Sequence, residues 1–259
     1  GTLDGDVRAV NERDTCAPPR VEAVPARTGG RNHRPHARLV LGKELPLELL
    51  LGVEPHVDVL YNPMSLIAEQ YRNLRNRIER LSGEHRVQTL AITSALKGEG
   101  KSLTAANLAL VMARDGTKNV LLVDADLRRP KLHKLLGLGA SPGLGEFFQG
   151  LIPAAEIIRE TPFFGLRIAT AGSVRGHPSE LLASPEFEKW IETCRGDFDY
   201  LILDTPPVHP VSDVNFLASS VDGIILVVRA GKTAKELVKY ALDSLPPEKL
   251  LGTVLNRVE

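Results

Sequence analysis

Eight residues restrict the possible folds of this chain more than any other feature. Positions 95–102 read Ala-Leu-Lys-Gly-Glu-Gly-Lys-Ser, a phosphate-loop pattern with alanine where the first glycine usually stands. An apolar run, 87–93, comes before it and is predicted to be a buried strand. After it, Leu103, Leu108, Ala109, Val111 and Met112 recur at helical spacing, which predicts a helix over 102–114. Between a strand and a helix, such glycines let backbone N–H groups turn in around phosphate oxygens, and the helix start adds partial positive charge there. Gly98, Glu99, Gly100, Lys101, Ser102 and Leu103 are therefore the candidate nucleotide contacts. Lys101 is the candidate for the β/γ-phosphates, and the Ser102 hydroxyl is a candidate Mg²⁺ ligand.

Two further motifs follow in order. In 120–130, four apolar residues lead into Asp124-Ala125-Asp126-Leu127-Arg128-Arg129-Pro130. Carboxylates two apart in extended backbone point to the same side, and so close a pair needs a cation or a shared proton. Mg²⁺ suits that place. In 200–207 a second apolar strand ends at Asp204, the expected form of a metal-holding aspartate at a strand's carboxyl end.

The 259 residues are 43% hydrophobic and 25% charged, enough for one large α/β core plus an extension. The formal net charge is +0, which gives no whole-chain electrostatic case for nucleic acid. Cys16 and Cys194 sit in unrelated contexts and suggest no disulfide, so a reducing, cytoplasmic setting is expected. No apolar stretch is long enough to span a bilayer; 39–53 is broken by Lys43, Glu44, Pro46 and Glu48. Residues 1–60 lack periodicity and are read as a disordered or poorly ordered extension, in which His33 and His36 are solvated. Residues 61–259 are read as the phosphate-loop domain. A helix is predicted from Pro63, with Leu66, Ile67, Tyr71, Leu74, Ile78 and Leu81 on its apolar face. Beyond the loop come strand 119–124, a helix near 131–136, a short helix from 143 to 150 continuing through 153–159, and strand 166–170. Helix 185–195, strand 199–204, helix 212–219, strand 222–228, helix 233–243 and strand 250–256 complete an alternation that predicts a mostly parallel sheet flanked by helices. His133 and His177 are read as structural.

Together these residues resemble the bacterial tyrosine kinases of capsule and exopolysaccharide assembly, phosphate-loop autokinases related to the MinD/ParA ATPases. The resemblance covers about 60–259. It rests on 97–102, on 122–130, on 201–207, and on 172–182 (Gly-Ser-Val-Arg-Gly-His-Pro-Ser-Glu-Leu-Leu), which is similar to a family segment but lacks its asparagine. Glu69, Arg72 and Arg75 match a family E-x-x-R-x-x-R motif. The chain departs from the family at Lys97, where proline is usual, and Leu96 stands where MinD/ParA relatives carry a lysine. Its four tyrosines, Tyr61, Tyr71, Tyr200 and Tyr240, form no cluster near residue 259.

The resemblance implies ATP and Mg²⁺ as cofactors, with Lys101, Asp124, Asp126 and Asp204 as catalytic residues. Asp126 would accept the tyrosine proton, Ser102, Asp124 and Asp204 would serve the metal, and Asn256 would contact adenine. It also implies a ring-like homo-oligomer through Glu69, Arg72 and Arg75, a tyrosine-containing protein substrate, and the cytoplasmic part of a membrane polysaccharide co-polymerase as partner. The protein would then sit at the inner face of the membrane. The alternative reading is an ATPase switch that regulates such a partner without tyrosine kinase activity.

Overall fold

Four apolar runs become strands buried on both faces: β1 (Thr89–Ser94), β2 (Val120–Asp124), β5 (Tyr200–Asp204) and β6 (Gly223–Arg229). In the computed structural model, which describes residues 50–85, 87–210 and 213–256, they form the centre of a seven-stranded sheet. The order is β3-β4-β2-β5-β1-β6-β7, where β3 is Ile158–Glu160, β4 Arg167–Ala169 and β7 Leu250–Asn256. Every pairing is parallel except β3 with β4.

Helices cover both faces. One layer holds α1 (Asp58–Tyr61), α2 (Leu66–His85), α3 (Lys101–Ala113) and α4 (Leu132–Leu135). The other holds α5 (Leu144–Phe148), α6 (Pro178–Leu182), α7 (Pro185–Asp197) and α8 (Lys235–Asp243). α3 is buried nearly all round, as a helix wedged between sheet and α2 must be, so its apolar residues are not confined to one stripe. α7 starts where Ser184 accepts a hydrogen bond from the Phe187 N–H, followed by Pro185 at the first helical position. Burial pushes the Cys194 thiol of α7 up to about 12, so it is a packing group; Cys16 lies outside the described residues.

Several expectations are corrected. Residues 150–160 do not continue as an α-helix and hold one 3-10 turn, Ala154–Glu156. The chain turns at Gly150 (φ 67) and ends as the edge strand β3, whose three residues hydrogen-bond antiparallel to β4. The segment expected as helix 212–219 is 3-10 over Asp213–Ser220. Leu66 and Ile67 are not on the buried face of α2: Met64, Leu66 and Ile67 are 92%, 75% and 54% exposed, while Ala68 and Ile78 are buried. Residues 50–60, assigned to the extension, are packed. Leu50, Val53, Val57, Val59 and Leu60 are in the core, and the Tyr61 hydroxyl donates to the Leu50 and Val53 carbonyls at 3.1 and 2.7 Å. The charges between those apolar residues hide the pattern in the sequence. His33 and His36 lie outside the described residues.

Candidate functional site

β1, β5 and β2 end side by side, and everything the three motifs supply converges there. Asp124 and Asp204 are in register as the last residues of neighbouring parallel strands, which forces their carboxylates together. The loop after β1 enters α3 through Gly98 (φ 83) and Gly100 (φ 100), backbone that an L side chain resists. A Cβ at Gly100 would sit 1.9 Å from the Asn256 Nδ2, so any other residue there would strain the backbone and displace the Asn256 side chain.

Lys101 opens α3 and points across the strand ends. Its ammonium donates to Asp126 Oδ2 at 2.6 Å, Asp204 Oδ1 at 3.2 Å and Ser102 Oγ at 3.3 Å. Burial works against its charge, but Asp204 and Asp126 outweigh this and hold its pKa above the usual lysine value. Lys101, Ser102 and Asp126 are nearly inaccessible, and Asp124 and Asp204 completely so.

Extended backbone stops at Asp124, so Asp126 reaches the site from a turn, not from the strand. Its Oδ1 accepts from the Arg129 N–H at 3.2 Å, which fixes that turn and leaves Oδ2 for Lys101. Asp124 Oδ2 accepts the Lys131 and Leu132 N–H groups at 3.0 and 2.9 Å, at the start of α4. Burial, then the Asp204 charge, push Asp124 up to about 8. Burial also raises Asp204, against the pull of Lys101 and Ser102. Asp124 Oδ1 and Asp204 Oδ2 are buried with no hydrogen-bond partner among the described residues. Two orphaned carboxylate oxygens beside a lysine can hold a proton or a small hard cation.

A cleft of 2150 Å³ opens over this cluster, lined by Gly98, Gly100, Lys101, Ser102, Leu103, Asp126, Asn256, Arg128, Arg129 and residues of α2. That exceeds the space most small ligands fill. Two of the expected nucleotide contacts also have structural partners. The Glu99 side chain is buried beneath the loop, and Asn256 donates from Nδ2 to the Glu99 carbonyl at 2.8 Å. On α2, Glu69 accepts from Arg72 at 2.7 Å, but Arg75 turns to Asp115 of the same chain at 2.7 Å. The motifs gave no sign of Thr233, whose hydroxyl donates to Glu99; Arg128 of the second motif donates to Ser179 of the 172–182 segment at 2.7 Å. Thr233 lies just past the carboxyl end of β6, and position at a strand end beside β1 is the one clue that could have found it.

A glycine loop between β1 and α3, with acidic strand ends beside it, defines a phosphate-loop NTPase of the ParA type. The ParA family profile, described as an NUBPL iron-transfer P-loop NTPase, matches residues 86–250. Tyrosine-protein kinase YwqD of Bacillus subtilis is 38% identical over 211 residues, 79% of this chain and 86% of YwqD. The kinase domain of Escherichia coli tyrosine kinase ETK superposes with a TM-score of 0.74 at 29% identity, covering 86% of this chain and 87% of that one. The chain belongs to the bacterial tyrosine-protein kinase family of which YwqD is a member. The succinoglycan biosynthesis transport protein ExoP of Rhizobium meliloti is 37% identical over 76% of this chain, a match that spans 26% of ExoP.

Proposed function

We propose that the chain is an ATP-dependent protein-tyrosine kinase acting in capsule or exopolysaccharide synthesis. The observation that carries this reading is the Asp126 carboxylate, held beside Lys101 at the floor of a cleft with room for more than a nucleotide. Lys101 would balance the charge of the β- and γ-phosphates, exchanging Asp126 for phosphate oxygen. Freed of Lys101, Asp126 accepts the phenol proton as the tyrosine oxygen bonds to the γ-phosphorus of ATP and the bond to the β,γ-bridging oxygen breaks, releasing ADP. The orphaned oxygens of Asp124 and Asp204, with the Ser102 hydroxyl, fit Mg²⁺. When bound, Mg²⁺ supplies further charge neutralisation at the phosphates. Among the described residues no three His, Cys, Asp or Glu side chains could hold a metal by themselves, which suits an ion that takes its other ligands from water and phosphate.

Self-association through α2 is part of this proposal. Glu69, half exposed, and the exposed Leu66 and Ile67 share the first turn of that helix, with exposed Met64 in the turn just before it. Among the described residues no helix is long and apolar enough to cross a membrane; a location at the inner membrane face through a partner is part of the proposal. The match to a quarter of ExoP supports a polysaccharide-export protein as that partner, since there the related region is one part of a longer chain.

The test is phosphotransfer. The full chain, with ATP, Mg²⁺ and a tyrosine-bearing peptide, should yield phosphotyrosine. ATP hydrolysis without any phosphotyrosine would replace this reading with the ATPase switch.

A further inference from the structure

Glu99 lies in the middle of the nucleotide loop, yet it is only 3% exposed and its carboxylate faces inward. Oε2 accepts from the Leu96 N–H at 2.7 Å, closing the loop on itself. Oε1 accepts from the Thr233 hydroxyl and, at 3.4 Å, from the Arg229 N–H. Both of those donors belong to the end of β6 and the segment leading into α8, 130 or more residues away in sequence. A buried carboxylate that meets donors from two segments fixes their separation. The residues on either side, Gly98 and Gly100, are the two with left-handed backbone, so nothing in their own conformational preference would hold the loop in this shape.

We infer that the Glu99 and Thr233 side chains form a latch that sets the phosphate loop in its binding shape, making both positioning residues whose side chains do not themselves meet the nucleotide. The loop hangs from two neighbouring sheet elements, through Glu99 to the end of β6 and through Asn256 to the end of β7. Losing the Thr233 hydroxyl leaves the Glu99 carboxylate tied to β6 only by the long bond from the Arg229 N–H, and more of the ordering of the loop then falls to the nucleotide itself. The inference rests on residues 98–103 being the nucleotide loop.

Titration of Mg-ADP into the full chain tests that reading and the latch separately. Wild type should bind. Thr233→Val should weaken binding about five- to tenfold with Tm unchanged within about two degrees, because Thr233 is half-buried at the surface. Thr233→Ser, which keeps the hydroxyl, should restore wild-type affinity. Glu99→Ala should weaken binding at least as much as Thr233→Val, and the double variant should be no worse than Glu99→Ala alone, since the two residues act through one another. Additive losses would mean that Thr233 meets the nucleotide directly and would overturn the latch. Equal affinity in wild type and Thr233→Val would overturn it as well. A wild type that binds no Mg-ADP overturns the site reading and the latch with it.

Discussion

At the amino ends of β1 and β6, Asp222 accepts four hydrogen bonds, from the Gln88 and Thr89 N–H groups and from both terminal nitrogens of Arg195, at 2.7–3.0 Å. At the carboxyl ends of β2 and β5, Asp124 and Asp204 face each other with one orphaned oxygen each. Their pKa values move in opposite directions. Burial alone would raise Asp222, but Arg195 and the two backbone donors outweigh it and hold the carboxyl below its usual range. Asp124 is pushed up to about 8 by burial and its like-charged neighbour. One end of the sheet has its carboxylate fully paired; the other carries a desolvation cost that Lys101 offsets only in part and that a bound cation would reduce further.

The comparison can be broken most sharply at the site. Asp126→Asn should cut tyrosine phosphorylation by about 10²–10⁴-fold, the range for a lost general base, while Mg-ADP affinity stays the same or improves because Lys101 loses a competitor. Equal transfer rates in variant and wild type would remove Asp126 as the base. Lys101→Met should weaken ATP binding more than tenfold, about 1.4 kcal/mol or more, read by calorimetry. Unchanged affinity would mean that the cluster at the carboxyl ends is not a phosphate site.

At the other end, Asp222→Ala strands three donor groups and should cost about 1–2 kcal/mol in denaturant unfolding, reduced because the side chain is a quarter exposed. The stability Asp222 lends is present above the ordinary carboxylate pKa near ~4 and is lost as pH falls through its depressed native value. The variant should therefore lose less stability on acidification than wild type. The smallest effect has the opposite sign. Asp124 has its native pKa above the unfolded one, so it opposes folding increasingly as pH rises from about 4 towards about 8. Asp124→Asn keeps an acceptor for Lys131 and Leu132 and removes the charge. In the absence of metal at pH 8 it should raise Tm, by about 2–4 °C per kcal/mol recovered. A lowered Tm would mean that the two ends do not differ as argued.

The central strands and the three motifs could be read in the sequence because strands buried on both faces must be continuously apolar, and a glycine loop between strand and helix is a local arrangement. What escaped was non-local or unpatterned. β3 is only Ile158-Arg159-Glu160 and takes its identity from β4. Residues 50–60 scatter their apolar side chains among Glu54, His56 and Asp58, yet reach the core. Leu66 and Ile67 follow helical spacing without being buried, since apolar periodicity does not say which helix face has a neighbour. Glu99 was read for its place in the nucleotide loop, and nothing near it in sequence reveals its side-chain partners Thr233 and Arg229.

The bond from Asn256 to the Glu99 carbonyl spans 157 residues. A chain made from its amino end would complete the β1–α3 unit long before β7 exists. Until β7 joins the edge of the sheet, the loop lacks one of its two supports. Contacts of such sequence separation form late in folding, after the loop-closure entropy has been overcome. Nucleotide capture would therefore report on completion of the whole sheet, and a nascent or truncated chain ending before residue 250 should carry the motif but not the grip.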